Sequence, residues 1–316
     1  MYWGWSETVM TDRIIEIGDS VARASLSNRQ LLLKLISGET VSIALRDLAA
    51  VILSGRHLTL SRALMAALSS AGVAVILVGE KGLPVGQILP LEQHSTQATR
   101  FRAQADLSRP RAKRIWQTLV RAKIDQQAAL LEQLHADDAG LRELASQVRS
   151  GDPDNREAVA ARRYWNRLFG DASFRRRRDA DDQNRLLNYG YAVLRSAVAR
   201  AICAVGLHPG LGVHHHHRSD AFCLADDLIE PYRPLVDAEV VEIAGEYGND
   251  VAIDRPVKMR LLGVLTERWL SDGEDRAILD LIARSARSLA ATLLDREQIF
   301  QLSLPDLQKS WARSHR

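Results

Sequence analysis

The run Gly212-Val213-His214-His215-His216-His217 is followed a few residues later by Leu224-Ala225-Asp226-Asp227-Leu228-Ile229-Glu230-Pro231-Tyr232-Arg233-Pro234. His215 stands fifteen residues ahead of Glu230. Asp227 and Glu230, at i and i+3, share one face of a helix. Imidazole together with carboxylates is a donor set for a hard or borderline divalent ion such as Mg²⁺, Mn²⁺ or Zn²⁺. Such an ion serves hydrolysis or phosphoryl transfer.

Three further stretches bear on chemistry. In the helix expected after Asn155, Glu157 recurs at helical spacing with Ala160, Ala161, Tyr164 and Leu168, while Arg156, Arg163 and Arg167 lie on another face. A carboxylate on an apolar face costs free energy unless a cation or a metal pairs with it. An edge glutamate in a salt bridge fits the same spacing. Asn184, Asn188, Tyr191 and Arg195 fall at i, i+4, i+7 and i+11, a polar stripe that suits either the lining of a polar ligand site or a solvated face. Arg175-Arg176-Arg177-Arg178, with Arg162, Arg163 and Arg167, forms a basic patch interleaved with Trp165 and Phe174. Arginine grips phosphate through a planar fork, so the patch points to nucleic acid, against the plainer reading of a solvated charged loop.

The chain must position these groups on a scaffold of 316 residues, enough for two domains and a sizeable core. Hydrophobic residues make up 46% and charged residues 26%, ordinary values for a globular protein. No stretch approaches the ~20 apolar residues that span a bilayer, and no membrane association is expected. The N-terminus shows no basic segment leading into an apolar run, and with only Cys203 and Cys223 a reduced, cytoplasmic setting is expected. The net charge of +3 is small, but it is unevenly spread: residues 1–95 carry 8 basic and 8 acidic residues, whereas residues 156–178 carry eight arginines.

The first ~90 residues read as short strands at 14–17, 22–26, 30–36, 40–44, 47–53 and 73–78, separated by turn signals. Ser61 is placed to N-cap a helix running through Ala71. From Gln97 onward the pattern turns helical, with helices expected over 115–134, 137–148, 156–169, 181–205, 220–233, 256–270 and 274–303. The fold class is therefore α+β: a small β-rich N-terminal domain over 1–92, a linker at 93–97, and a larger all-α domain over 98–316.

At four ordered motifs the chain resembles the CRISPR-associated spacer-acquisition endonuclease and integrase family. They are Glu157-Ala158-Val159-Ala160-Ala161-Arg162-Arg163-Tyr164-Trp165, Asn184-Arg185-Leu186-Leu187-Asn188-Tyr189-Gly190-Tyr191, Gly206-Leu207-His208-Pro209 with Leu211-Gly212-Val213-His214-His215, and Leu224 to Pro234. Gly55-Arg56-His57-Leu58-Thr59-Leu60-Ser61 and Gly72-Val73-Ala74-Val75 also fit. The His-His pair and Asp-Leu-Ile-Glu-Pro are similar to members from type II systems. The resemblance implies a divalent metal, Mg²⁺ or Mn²⁺, held by Glu157, His215 and Glu230, with Asp227 close by as a further candidate ligand. It implies DNA contacts from Arg162, Arg163, Arg167 and Arg175 to Arg178, and a site lined by Asn184, Asn188, Tyr189 and Tyr191. It further implies double-stranded DNA substrates (protospacer and CRISPR repeat), homodimerisation through the N-terminal domain, and a small ferredoxin-like partner subunit. Insertion would proceed by attack of a 3′-hydroxyl on a phosphodiester. A non-catalytic DNA-binding scaffold of the same fold, or a zinc-dependent phosphoester hydrolase, would carry the same residues.

Overall fold

The computed structural model describes residues 13–80, 84–89, 94–177 and 180–307. The chain divides into two compact units, Met1–Leu91 and Glu92–Arg316. In the first unit the strands are β1 (Arg13–Ile17), β2 (Val21–Ser27), β3 (Gln30–Leu35), β4 (Thr40–Ala44), β5 (Leu48–Leu53) and β6 (Thr59–Leu60). Helix α1 (Arg62–Ser70) and strands β7 (Ala74–Val78) and β8 (Pro84–Ile88) complete it. They form two four-stranded sheets, in the orders β1-β5-β7-β8 and β4-β3-β2-β6. In the first sheet β1, β5 and β7 run parallel and β8 antiparallel. All six residues of β5 are buried, as a central strand covered on both faces requires. Ile17, Leu31, Val51, Leu64, Leu68 and Val75 lie in one core. The hydroxyl of Ser61 accepts from the Leu64 N–H and caps α1.

The second unit contains α2 (Gln97–Ala105), α3 (Arg109–His135), α4 (Leu141–Ser146), α5 (Arg156–Leu168), α6 (Gln183–Ala204) and α7 (Cys223–Ile229). A 3₁₀ turn at Glu230–Tyr232 leads into α8 (Arg233–Tyr247) and α9 (Arg255–Thr266). A hairpin, β9 (Arg268–Ser271) and β10 (Glu274–Ala277), precedes α10 (Ile278–Leu294). Among the described residues, no helix is long and apolar enough to cross a membrane. Cys203 and Cys223 are free thiols, and burial pushes the Cys203 thiol up to about 11.

Several expectations need correction. The second unit is not all helix, because β9 and β10 replace the middle of the span expected as two helices. Asp272 and Gly273 both take positive φ, at 51° and 82°, the backbone that a two-residue hairpin turn with Asp-Gly adopts. The last helix ends at Leu294 rather than 303; the chain from 295 to 306 carries neither helix nor strand, and the Asp306 N–H donates to the Leu270 carbonyl at 2.7 Å. Pro234 does not close the acidic helix but opens α8, since proline is tolerated in a first turn whose N–H groups have no intrahelical partner. The helix expected over 137–148 is shortened to α4, because Ala139 and Gly140 turn left-handed ahead of it.

Candidate active site

The centre of the site is a lysine from the long helix α3. Trp116, Val120, Lys123 and Gln127 follow one another along one buried stripe of that helix. The Lys123 ammonium lies 2.6 Å from Glu157 Oε1 and 2.7 Å from Glu230 Oε2. Glu157 sits in the first turn of α5, whose opening N–H groups at Arg156 and Glu157 donate to the Asp152 carboxylate at 2.9 and 3.0 Å. Glu230 opens the 3₁₀ turn and is buried, its side chain 6% exposed. Arg233, three residues on, approaches Glu230 Oε1 at 3.1 Å and lies over the Tyr191 ring at 4.9 Å. Glu157, its side chain 26% exposed, stands at the edge of the face that buries Ala160, Tyr164 and Leu168; it is in a salt bridge, and the cation that offsets its charge is Lys123. Burial alone would push the Glu230 carboxyl up, but Arg233 and Lys123 hold it below the usual carboxylate range. Burial would likewise discharge Lys123, and the Glu230 and Glu157 carboxylates together outweigh it and keep the ammonium charged. The Glu230 Oε2 atom is buried without a well-aligned hydrogen bond, although the ammonium is close to it.

The histidine loop is built on one buried carboxylate. Asp227, with no exposed surface, accepts from the backbone N–H groups of Val213 at 2.6 Å, His214 at 3.0 Å and His215 at 3.2 Å. Its Oδ1 also lies 2.7 Å from His215 Nδ1. A carboxylate can only accept, so this contact puts the hydrogen on Nδ1 and leaves the His215 Nε2 lone pair available. The hydrogen bond to Asp227 raises the His215 pKa against the effect of burial. Gly212 permits this tight loop: a Cβ there would come within 2.3 Å of the His215 carbonyl oxygen and 3.0 Å of Asp227 Oδ2. Trp116 stacks on His214 with ring centroids 4.0 Å apart and planes 3° apart, and meets His215 edge-on at 5.6 Å. His216 and His217 are exposed. His215 is close enough to Glu230 for that carboxylate's charge to favour its protonated form.

Behind Glu230 lies a second polar layer. Asp237 on α8 is buried and accepts from the hydroxyls of Tyr164, at 2.6 Å, and Tyr191. Burial pushes the Asp237 carboxyl up to about 6, against the pull of those hydroxyls. Gly190 allows α6 and α8 to approach: a Cβ there would meet Val236 Cγ1 at 2.4 Å. The polar stripe of α6 is thereby accounted for. Asn184 is buried, accepting from the Arg177 N–H and donating to the Arg175 carbonyl. Arg176 donates to Asn184 Oδ1 at 2.9 Å and Asn188 Oδ1 at 2.7 Å. Arg195 pairs with Asp226 at 3.8 Å and covers Phe222. Tyr189 is fully buried. Within the stripe Asn184 and Asn188 hold the arginine loop, Tyr191 bonds Asp237, and Arg195 stays partly exposed beside Asp226.

The arginines are unequal. Arg167 is paired to Asp137 at 2.9 Å, and Arg163 Nη1 donates to the Ala139 carbonyl. Arg175 folds onto the carbonyls of Ala172 and Phe174. Arg162 and Arg177 are exposed. Arg178 lies outside the described residues. Lys123, Arg233, Trp116 and Asp237 are site residues that sequence reasoning does not single out. A lysine and a glutamine in register with Trp116 and Val120 on an apolar stripe are the available signal for the first of these.

Among the described residues, no three His, Cys, Asp or Glu side chains are gathered into a closed metal site. Lys123 holds the position between the two carboxylates. The donors nonetheless fit a divalent ion. Two carboxylates from different helices converge on one buried cation, and a neighbouring imidazole whose Nδ1 faces Asp227 presents its Nε2 as a lone pair when neutral.

A family model described as CRISPR associated protein Cas1 matches residues 17–248. The chain is 37% identical over 287 residues to a CRISPR-associated endonuclease Cas1 of Neisseria meningitidis serogroup C (strain 8013), covering 90% of this chain and 93% of that protein. It is 26% identical to a CRISPR-associated endonuclease Cas1 of Francisella tularensis subsp. novicida, covering 78% and 85%. Among solved structures, a casposase bound to integration product superposes with a TM-score of 0.74 at 19% identity, covering 95% of this chain and 94% of that one. A CAS1 protein from Thermotoga maritima gives 0.74 at 17% identity, covering 92% and 99%. A chain of a Cas6-RT-Cas1–Cas2 complex gives 0.72 at 20% identity, covering 96% of this chain and 37% of that one. At these identities the structural likenesses speak to the fold.

Proposed function

This chain belongs to the CRISPR-associated Cas1 family, and on that footing we propose that it is a divalent-metal-dependent DNA endonuclease and integrase that inserts protospacer DNA into a CRISPR array. The observation that carries this reading is the convergence of Glu157 and Glu230 on one buried cation beside an imidazole oriented by Asp227. Glu157, Glu230 and His215 Nε2 would hold the ion, Mg²⁺ or Mn²⁺. When bound, the ion supplies charge neutralisation at the phosphodiester oxygens and eases deprotonation of the attacking hydroxyl. Asp227 acts as the orienting group of His215 rather than as a ligand, because both of its oxygens are already engaged. Arg233 fixes one oxygen of Glu230 and leaves the other toward the site.

In the integration reaction the 3′-hydroxyl of a protospacer strand attacks a phosphodiester of the repeat. A new phosphodiester forms and the displaced strand leaves with its own 3′-hydroxyl. With water as the nucleophile the same residues cleave DNA. In this reading the arginines follow phosphates, which fixes position rather than sequence; the exposure of Arg162 and Arg177 supports that role for them, and Arg178 is assigned with them on sequence alone. The chain is proposed to work as a homodimer, paired through its β-rich unit, and with a small ferredoxin-like subunit. Fold likeness to a chain of a Cas6-RT-Cas1–Cas2 complex supports that partner.

The test is an integration assay with labelled protospacer and a repeat-bearing plasmid, with and without Mn²⁺ or Mg²⁺ and the small subunit. Glu157→Ala, His215→Ala and Glu230→Ala are expected to abolish cation-dependent joining and cleavage while the chain stays folded. Full activity of Glu157→Ala would remove the basis of this reading, and joining without any divalent cation would remove the ion.

A further inference from the structure

Lys123 and Gln127 are the polar pair on the buried stripe of α3, one turn apart, where side chains at i and i+4 are neighbours with Cβ atoms about 5–6 Å apart. Gln127 is 3% exposed, and its Oε1 is a buried acceptor with no hydrogen-bond partner. Leaving a buried acceptor unmet is costly, so it calls for a donor that arrives in another state of the site. The Lys123 ammonium sits 2.6 and 2.7 Å from an oxygen of each acidic residue proposed to ligate the metal. A divalent ion would need those same oxygens at about 2.0–2.2 Å. The ammonium and the ion cannot share that position, and a displaced buried ammonium still needs an acceptor.

We propose that Lys123 is a displaceable internal counter-ion: its ammonium holds Glu157 and Glu230 together until a divalent cation arrives, then retreats along α3 to the Gln127 amide oxygen. The inference rests on the reading that Glu157 and Glu230 ligate the ion. Lysine suits the part. Its charge sits at the end of a flexible four-carbon stem, and an i+4 acceptor lies within the reach of that stem. Two consequences follow with opposite signs. Removing the ammonium removes the competitor and favours metal, but leaves two buried carboxylates facing each other in the metal-free chain. Removing the Gln127 acceptor leaves the competitor in place and takes away its refuge, which disfavours metal.

The experiment uses the full chain and Mn²⁺ as probe. Binding is read from the free-ion electron paramagnetic resonance signal, and thermal melting is recorded in chelator and in Mn²⁺. Lys123→Met is expected to bind Mn²⁺ at least about tenfold tighter, about 1.4 kcal/mol, to melt lower in chelator, and to gain more on Mn²⁺ addition than the unaltered chain. Gln127→Leu is expected to bind at least about tenfold more weakly while melting in chelator at or above the unaltered temperature. Weaker or equal Mn²⁺ binding by Lys123→Met overturns the proposal, as does unchanged binding by Gln127→Leu. Should Lys123→Met fail to fold, Gln127→Leu decides alone, since it keeps the lysine. Glu157→Ala separates the two levels: Mn²⁺ binding that survives it sinks the metal-site reading, whereas loss there with the wrong sign at Lys123 sinks this inference only.

Discussion

Asp227→Asn isolates the orienting role of one buried carboxylate. In the native site Oδ2 takes the two shortest backbone N–H bonds, from Val213 and His214 at 2.6 and 3.0 Å. Oδ1 takes the His215 N–H at 3.2 Å and His215 Nδ1 at 2.7 Å. An asparagine has one oxygen to offer. Placed at the Oδ2 position it keeps both short bonds and forfeits the long one; placed at the other it sets an NH₂ against two N–H donors. The first orientation wins, and it aims the asparagine NH₂ at His215 Nδ1. That nitrogen must then become an acceptor, so the proton moves to Nε2 and the lone pair proposed to hold the metal disappears. Disturbing the partner of a ligating histidine costs about 10–100-fold in metal affinity, about 1.4–2.7 kcal/mol. The fold should lose little, since the two stronger backbone bonds survive. Asp227→Ala, by contrast, strips every one of these hydrogen bonds and should melt measurably lower. The assay is Mn²⁺ titration beside melting, with the tautomer of His215 read from ¹⁵N shifts of the imidazole. An Asp227→Asn chain that binds Mn²⁺ as tightly as the unaltered one, or that keeps hydrogen on Nδ1, would refute the reasoning.

Asp237 gives a pH prediction. Its folded pKa, about 6, lies above the ordinary 3.8, so the folded state holds the proton more tightly. Its contribution to stability is complete below about pH 4 and disappears as pH rises through 6. Asp237→Asn should therefore melt higher than the unaltered chain at pH 7.5, by on the order of 3 kcal/mol at most, with the advantage vanishing near pH 4; a pH-independent difference in melting would contradict this. Arg176 and Arg177 should separate in a DNA-binding titration against salt. Arg177→Glu should reduce the slope of log K against log salt by about 0.9 for each phosphate that the chain ceases to neutralise. Arg176→Glu, which breaks the hydrogen bonds to Asn184 and Asn188, should show itself first as lower melting. For the oligomer, sedimentation of the intact chain should give a dimer and that of a chain starting near Gln97 a monomer; a truncated chain that still dimerises would assign the interface to the helical unit.

What the sequence disclosed follows from how local each signal is. The strands of the first unit are written in alternating or continuous apolar runs with turns between them, and Ser61 caps α1 through a hydrogen bond spanning only three residues. The hairpin over 268–277 carried an equally local signal, Asp272-Gly273, but apolar residues at helical spacing on either side masked it. Pro234 was ambiguous in itself, since proline ends one helix and begins another with the same ring. The site divides along the same line. Asp227 and Glu230 share a helix face and His215 is near them in sequence, so the acidic motif announces them together. Lys123 meets Glu157 across 34 residues and Glu230 across 107. Its register with Trp116 and Val120 on an apolar stripe sets it apart from the other cations of α3, but that register does not name its distant partners. The polar stripe of α6 was legible as a stripe but not as to its purpose. Its partner, Arg176, looked like one of four equivalent arginines, and only packing distinguishes the one turned inward.

The charge balance of the assembled site gives a physical reason why it should require a divalent cation. Glu157, Glu230 and Asp227 bring three carboxylates; Lys123 and Arg233 bring two permanent cations; His215, when neutral, adds nothing. The sum is one negative charge in a largely buried setting. A phosphodiester carries one more, and a second develops as a nucleophile adds to phosphorus. Unit charges of like sign 4 Å apart repel by about 4 kcal/mol at an effective dielectric constant of 20, so under the proposed reading the chain alone would repel its substrate phosphate. Two added positive charges turn the net charge to plus one, which matches the bound diester and still attracts the more highly charged transition state. Keeping Lys123 within the site, displaced rather than expelled, is what makes that sum positive. A neutral residue in its place would bind the ion more tightly and the reacting phosphate less well. The Lys123→Met chain should accordingly pair stronger Mn²⁺ binding with slower joining, a combination that a purely structural lysine would not produce.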